Sequence, residues 1–197
     1  MYPKMITYPK NYFNHKVTEQ LDNVLSLVDT KCLIAGGSIV SLLTNTSIND
    51  YDIYTDNPQK VMSVLITSTT YLNIYETDNA TTITRLEKEK IIKYQIVNTI
   101  NTTDPSILLK TFDFICCSIC YDGINFYANK QFLSDLLGKT LTLNEYASDR
   151  FSFKTYKRMI KYMKKGFYPD YDTQYKILEI IKEKGIPDKA KYVLQDY

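Results

Sequence analysis

Two aspartates, Asp50 and Asp52, stand two residues apart in the stretch "DYDIYT". In an extended strand, side chains at i and i+2 share a face, so both carboxylates project together with Tyr51 behind them. Two carboxylates that close repel each other unless a cation lies between them. Mg²⁺ suits such a pair, because it is held by one or two carboxylates and completes its octahedron with water and phosphate oxygens. Upstream the chain reads Leu33-Ile34-Ala35-Gly36-Gly37-Ser38. Two glycines let the backbone turn sharply and approach a ligand closely. The helix pattern that follows offers unsatisfied N–H groups to an anion, and Ser38 adds a hydroxyl donor. A third acid, Asp113, lies in "KTFDFICC" between Phe112 and Phe114, where a charge is costly to bury without a partner. On a neighbouring strand it would let the site hold two metals about 4 Å apart, the arrangement used for in-line phosphoryl transfer. Each signal alone has a plainer reading: a solvated turn, an ordinary strand-to-helix junction, a cap or salt-bridge partner. Their order along the chain favours the chemical one.

These residues need a scaffold. Leu21, Val24, Leu25 and Val28 recur at helical spacing, which predicts a helix over 17–28. Cys32–Ala35 reads as a buried strand, Ser38–Leu43 as a helix and Tyr51–Thr55 as a strand. Asn57-Pro58 opens another helix to about Ile66, with Pro58 at its first position. Three strands follow at 71–75, 81–86 and 91–97. Asp104-Pro105 starts a short helix, and Phe112–Tyr121 reads as one long apolar strand. Asp122-Gly123 is a hairpin signal, with 124–127 as the return strand. Helical patterns follow from Gln131, over 150–165 and over 174–184, the last two ended by Gly166 and Gly185. The composition shifts near Leu143, from mixed α/β to basic and helical. The expectation is an α/β (α+β) domain over 1–143, a mixed, mostly antiparallel sheet with helices on one face, followed by a basic helical extension over 144–197 packed on it.

The pattern of apolar strand, Gly36-Gly37-Ser38, helix, then Asp50-x-Asp52 on the next strand, with Asp113 later in an apolar-Asp-apolar context, resembles the polymerase-β-like nucleotidyltransferase superfamily. "IIKYQIV", "FDFICCSICYDG" and "RMIKYMKKGF" look like the heads of tRNA CCA-adding enzymes and their small viral and phage relatives. The resemblance covers roughly residues 30–167. It implies a Mg²⁺-dependent transfer of a nucleoside monophosphate from a nucleoside triphosphate to a hydroxyl of RNA, protein or a small molecule. Asp50, Asp52 and Asp113 would be the catalytic, metal-holding acids of a two-Mg²⁺ centre, and Gly36, Gly37 and Ser38 would cradle the phosphates. CCA-type enzymes carry an Arg-Asp pair after the glycines, whereas this chain has Ser38-Ile39-Val40-Ser41. Contacts to the triphosphate or to nucleic acid then fall to Lys93 or to Arg150, Lys154, Lys157, Arg158 and Lys161 of the basic helix. The alternative is a catalytically inactive binding or assembly module on the same scaffold, of viral or phage origin.

Other features exclude more than they suggest. The net charge is +2, so there is no global basic excess, and any nucleic-acid surface must be local. The chain opens without an apolar signal segment, and no run approaches the length of a membrane span. Four cysteines sit in apolar runs, which predicts free thiols in a reducing, cytoplasmic setting, the host cytoplasm or a virion for a viral protein. Cys117-x-x-Cys120 lacks the further ligands of a zinc site, and His15, the lone histidine, sits in no catalytic motif. Apolar Phe153, Tyr156, Ile160 and Met163 are expected to seat the basic helix on a core.

Overall fold

The computed structural model describes residues 4–28, 30–67 and 70–185. The chain divides into two compact units, 1–110 with 117–130 and 111–116 with 131–197. The expected boundary at 143 therefore falls inside the second unit, which borrows a short piece from the middle of the first.

The first unit is built on an eight-stranded sheet. Its elements are β1 (Met5–Pro9), α1 (His15–Ser26), β2 (Cys32–Ala35), α2 (Gly37–Leu43), β3 (Tyr51–Thr55), α3 (Pro58–Ile66), β4 (Tyr71–Glu76), β5 (Ala80–Glu87), β6 (Lys90–Val97), α4 (Pro105–Leu108), β7 (Ile119–Tyr121) and β8 (Asn125–Asn129). The strand order is β1-β8-β7-β2-β3-β6-β5-β4. Every neighbouring pair is antiparallel except β3 and β6. The result is an α/β fold whose helices α1, α2 and α3 pack against the central strands. Local chemistry sets the element starts. Asn14 and Asn57 cap α1 and α3 by accepting from Lys16 N and Lys60 N, and Pro58 occupies the first turn of α3. Asp122-Gly123 makes the predicted hairpin: Asp122 Oδ1 accepts from Ile124 N and Asn125 N at 2.8 and 2.7 Å, and Gly123 takes φ +96°.

The core of this unit runs through Tyr51, Ile53, Tyr94, Ile96 and Ile83, all buried on one side of the sheet. Tyr51 and Tyr94 stack at 6.0 Å. The Tyr94 hydroxyl donates to Glu87 at 2.9 Å, and burial, reinforced by that carboxylate, raises its pKa.

The predicted strand over 112–121 is corrected. Only Ile119–Tyr121 is strand; Ile115–Cys117 is a 3-10 turn, and Asp113 precedes it in irregular chain. Apolarity reported burial here, not extension: Phe114, Ile115, Cys116 and Cys117 are all buried.

The second unit contains α5 (Phe132–Gly138), β9 (Thr140–Leu141), α6 (Phe153–Met163), β10 (Tyr168–Pro169) and α7 (Tyr171–Lys184), with β9 and β10 paired in parallel. A capping box, Ser152 with Thr155, starts α6. Its buried row is Phe153, Thr155, Met159 and Tyr162, so Ile160 and Met163 turn further outward than expected. Tyr162 sits edge-on against Phe114 and Phe167. All four cysteines are buried, and none of them forms a disulfide. No helix among the described residues is long and apolar enough to cross a membrane.

Candidate functional site

The site residues of the first unit are positioned by strand register. β2 ends at Ala35, which lies directly opposite Asp52 on β3; Gln95 of β6 flanks Asp52 on the other side. Asp52 thus sits at the centre of the sheet, beside the residue that enters the glycine turn. The methyl group of Ala35 leaves room next to the carboxylate, and the Gln95 amide is drawn outward to Thr82 Oγ1 at 3.3 Å. Tyr51 is buried while Asp50 and Asp52 are half-buried, which is the alternation that puts both acids on the accessible side. Asp50 itself lies just before the strand.

Gly36 holds φ 72° and ψ −129°, a conformation open essentially to glycine alone. Its N–H donates to Ile119 O at 3.0 Å, pinning the turn to β7. α2 then begins at Gly37, so the first N–H groups of this helix have no intrahelical acceptor. Ser38 is 2% exposed and its hydroxyl has no hydrogen-bond partner. A buried hydroxyl left unpaired costs free energy, and an anion at this turn would supply its acceptor. At the other end of α2, Thr46 N donates to Ser41 O at 2.8 Å, and the chain returns to Asp50.

A cleft of about 750 Å³ opens beside Asp50, walled by residues from 14 to 20 at the start of α1, from 41 to 51, and at the start of β6. Lys93 lines it together with Asp50, so two residues named from sequence meet here. Asp52 and the Gly36–Ser38 turn lie outside its wall. Lys16 and Lys90 also line it; neither was legible as a site residue, because an isolated lysine carries no motif.

Asp113 belongs to the second unit and does something else. Its side chain is 4% exposed and accepts a hydrogen bond from Arg158 Nη1 of α6 at 2.5 Å. Its backbone carbonyl accepts from Asn144 N. Among the described residues, no three His, Cys, Asp or Glu side chains gather as a group that could hold a metal ion. The pair Asp50 and Asp52 belongs to the first unit and Asp113 to the second. Arg158, expected as a nucleic-acid or triphosphate contact, is the ion-pair partner of Asp113. Lys154, Lys157 and Lys161 are exposed along α6, and Arg150 is exposed just before it. His15 is exposed and faces Glu19 at 3.8 Å.

The residues present fit a Mg²⁺–triphosphate: two adjacent accessible carboxylates, a glycine turn without side chains, free helix-start N–H groups and an unpaired buried hydroxyl. Against known proteins, the model of the family described as Gabija anti-defense 2 family protein matches residues 8–139. A curated relative, Gabija anti-defense 2 of Bacillus phage SPbetaL7, is 32% identical over 115 residues, which are 58% of this chain and 28% of the relative. The chain thus spans little more than a quarter of the relative's length. Among solved structures, a Thermotoga maritima CCA-adding enzyme complexed with tRNA superimposes with a TM-score of 0.62 at 13% identity, covering 90% of this chain and 46% of that one. The Bacillus stearothermophilus CCA-adding enzyme in complex with CTP gives 0.52 at 19% identity, covering 80% and 40%. The fold is that of the polymerase-β-like nucleotidyltransferases.

Proposed function

This chain belongs to the Gabija anti-defense 2 family, and from that premise we propose that it serves a phage anti-defence protein as a nucleotidyltransferase module: it binds a Mg²⁺–nucleoside triphosphate and transfers the nucleoside monophosphate to a hydroxyl. The observation that supports this most is the register of Ala35 against Asp52, which sets the metal-type carboxylates beside the glycine turn that carries the unpaired Ser38 hydroxyl.

Asp50 and Asp52 would hold the cation, which supplies the charge that neutralises the phosphates. The N–H groups of Gly37, Ser38 and Ile39, with Ser38 Oγ, would bind the terminal phosphates and so aim the α-phosphorus at the acceptor. A bond forms from the acceptor oxygen to the α-phosphorus as the bond to pyrophosphate breaks, and the hydroxyl proton passes to solvent. Positioning and charge neutralisation account for the acceleration in such a site.

Asp113 favours a second reading, a module that binds nucleotide without turning it over. That carboxylate is engaged by Arg158, so the chemistry of a three-acid centre has less support than nucleotide binding.

The test is incubation of the full chain with each α-labelled nucleoside triphosphate and Mg²⁺, with and without total RNA, alongside Asp52→Asn. Pyrophosphate release and label transfer that Asp52→Asn abolishes are the expected result. A Mg-ATP melting shift lost in Asp52→Asn, without pyrophosphate in any mixture, selects the second reading. Neither shift nor transfer rejects both.

A further inference from the structure

We infer that the cleft beside Asp50 is a second, metal-independent anion site that takes a phosphorylated small molecule of nucleotide size. Its volume, about 750 Å³, falls within the range of small-molecule sites. Three lysines line it, Lys16, Lys90 and Lys93, against the single carboxylate of Asp50. No ion pair engages any of the three lysines among the described residues. Lys16 is placed against its local preference, in the first turn of α1, where the helix start already carries positive partial charge and no acidic residue stands in that turn. Three positive charges on the wall of one concave surface raise its potential, and an anion offsets it.

The wall also sets the class of ligand. Asn14, Gln20, Asn45 and Asn49 add amides, which suit sugar hydroxyls and phosphate oxygens. Tyr51 is the aromatic residue of the wall and is 6% exposed, so the cleft offers no platform on which successive bases of a nucleic-acid strand would stack. In the parallel register of β3 and β6, Tyr51 pairs with Tyr94, so Asp50 and Lys93 each lie one residue before that pair, and Lys90 lies three residues, about 10 Å, back along β6. A ligand with a phosphate toward Lys90 and a hydroxylated end toward Asp50 matches this order of charge.

The experiment is calorimetric titration of the full chain with ADP and, separately, with inorganic pyrophosphate, both in EDTA so that a cation-dependent site stays silent. Wild type is expected to bind ADP, and the triple variant Lys16→Gln/Lys90→Gln/Lys93→Gln to bind it about tenfold or more weakly. The matching triple Lys→Arg variant should restore binding, which excludes misfolding as the cause. Asp52 lies outside the wall of the cleft, so Asp52→Asn should lose the Mg-ATP melting shift yet bind ADP in EDTA as wild type does, which tells this site from the proposed Mg²⁺ site although the two share Asp50. Pyrophosphate binding as tight as that of ADP would show that phosphate alone is recognised and would overturn the assignment to nucleotide-sized ligands. Absence of binding in wild type, equal binding by the triple Gln variant, or tighter binding of a single-stranded RNA decamer than of ADP would each overturn the proposal.

Discussion

Replacing Arg158 with Met removes the charge that compensates Asp113 while keeping much of the side-chain volume. The Asp113 side chain is 4% exposed and Arg158 57%. Breaking a fully buried pair by deleting one partner costs about 3–5 kcal/mol. Here the arginine end is open to water, which can enter and solvate part of the exposed carboxylate edge, so the expected cost is about 1–3 kcal/mol. For a chain of this length that corresponds to a fall in melting temperature of about 2–12 °C. Asp113→Asn should cost less, since the surviving amide is neutral and Arg158 keeps its access to solvent. The double variant Arg158→Met/Asp113→Leu should recover part of the loss, because an apolar pair replaces an orphaned charge. Urea unfolding at neutral pH measures all three, and the Mg-ATP melting shift measured alongside reports the Asp50–Asp52 site. A wild-type unfolding midpoint in Arg158→Met would refute the structural role of the pair. An Asp113→Asn chain of undiminished stability that binds Mg-ATP but no longer releases pyrophosphate would refute it too, and would make Asp113 a catalytic acid.

Two other substitutions probe the elements around the site. Gly36→Ala should destabilise by about 1–3 kcal/mol, because φ 72° with ψ −129° is closed to an L side chain. Gly37→Ala, already inside α2, should keep or raise the unfolding midpoint yet weaken Mg-ATP binding by intruding where phosphate must approach; both follow from urea unfolding with a nucleotide titration. In the second unit, Asp135 is 3% exposed, its Oδ1 accepts from Gln131 at 3.0 Å and its Oδ2 has no partner. Burial raises its pKa above the ordinary value of 3.8, so the folded state holds this proton more tightly than the unfolded one, and stability falls as pH rises through that interval. Asp135→Asn should therefore melt higher than wild type at pH 7, with the gap closing toward pH 4; a gap independent of pH would refute the assignment.

The central framework was legible because local chemistry marked it. Cys32–Ala35, Tyr51–Thr55 and the helix from Pro58 to Ile66 lie where glycine, proline and the capping asparagine of α3 punctuate the chain. Asp113 was misplaced because an apolar run reports burial without telling strand from turn, and its partner lies 45 residues away on another element. The face of α6 was read from its apolar residues, but Thr155, drawn inward by the capping box, takes a core position that its polarity conceals. The boundary at 143 followed a shift in composition, which cannot reveal that 111–116 join the second unit from within the first. The lysines of the cleft come from α1 and β6, brought together only by tertiary structure.

The parallel pairing of β3 with β6 has a consequence for how such a domain tolerates change. Having laid down Asp52, the chain leaves through α3, walks to the outer edge as β4, and comes back through β5 before β6 closes beside β3. Lengthening or trimming that excursion alters the rim of the sheet while the carboxylates keep their neighbours Ala35 and Gln95. The rim can thus be remodelled without shifting the strands that carry the site.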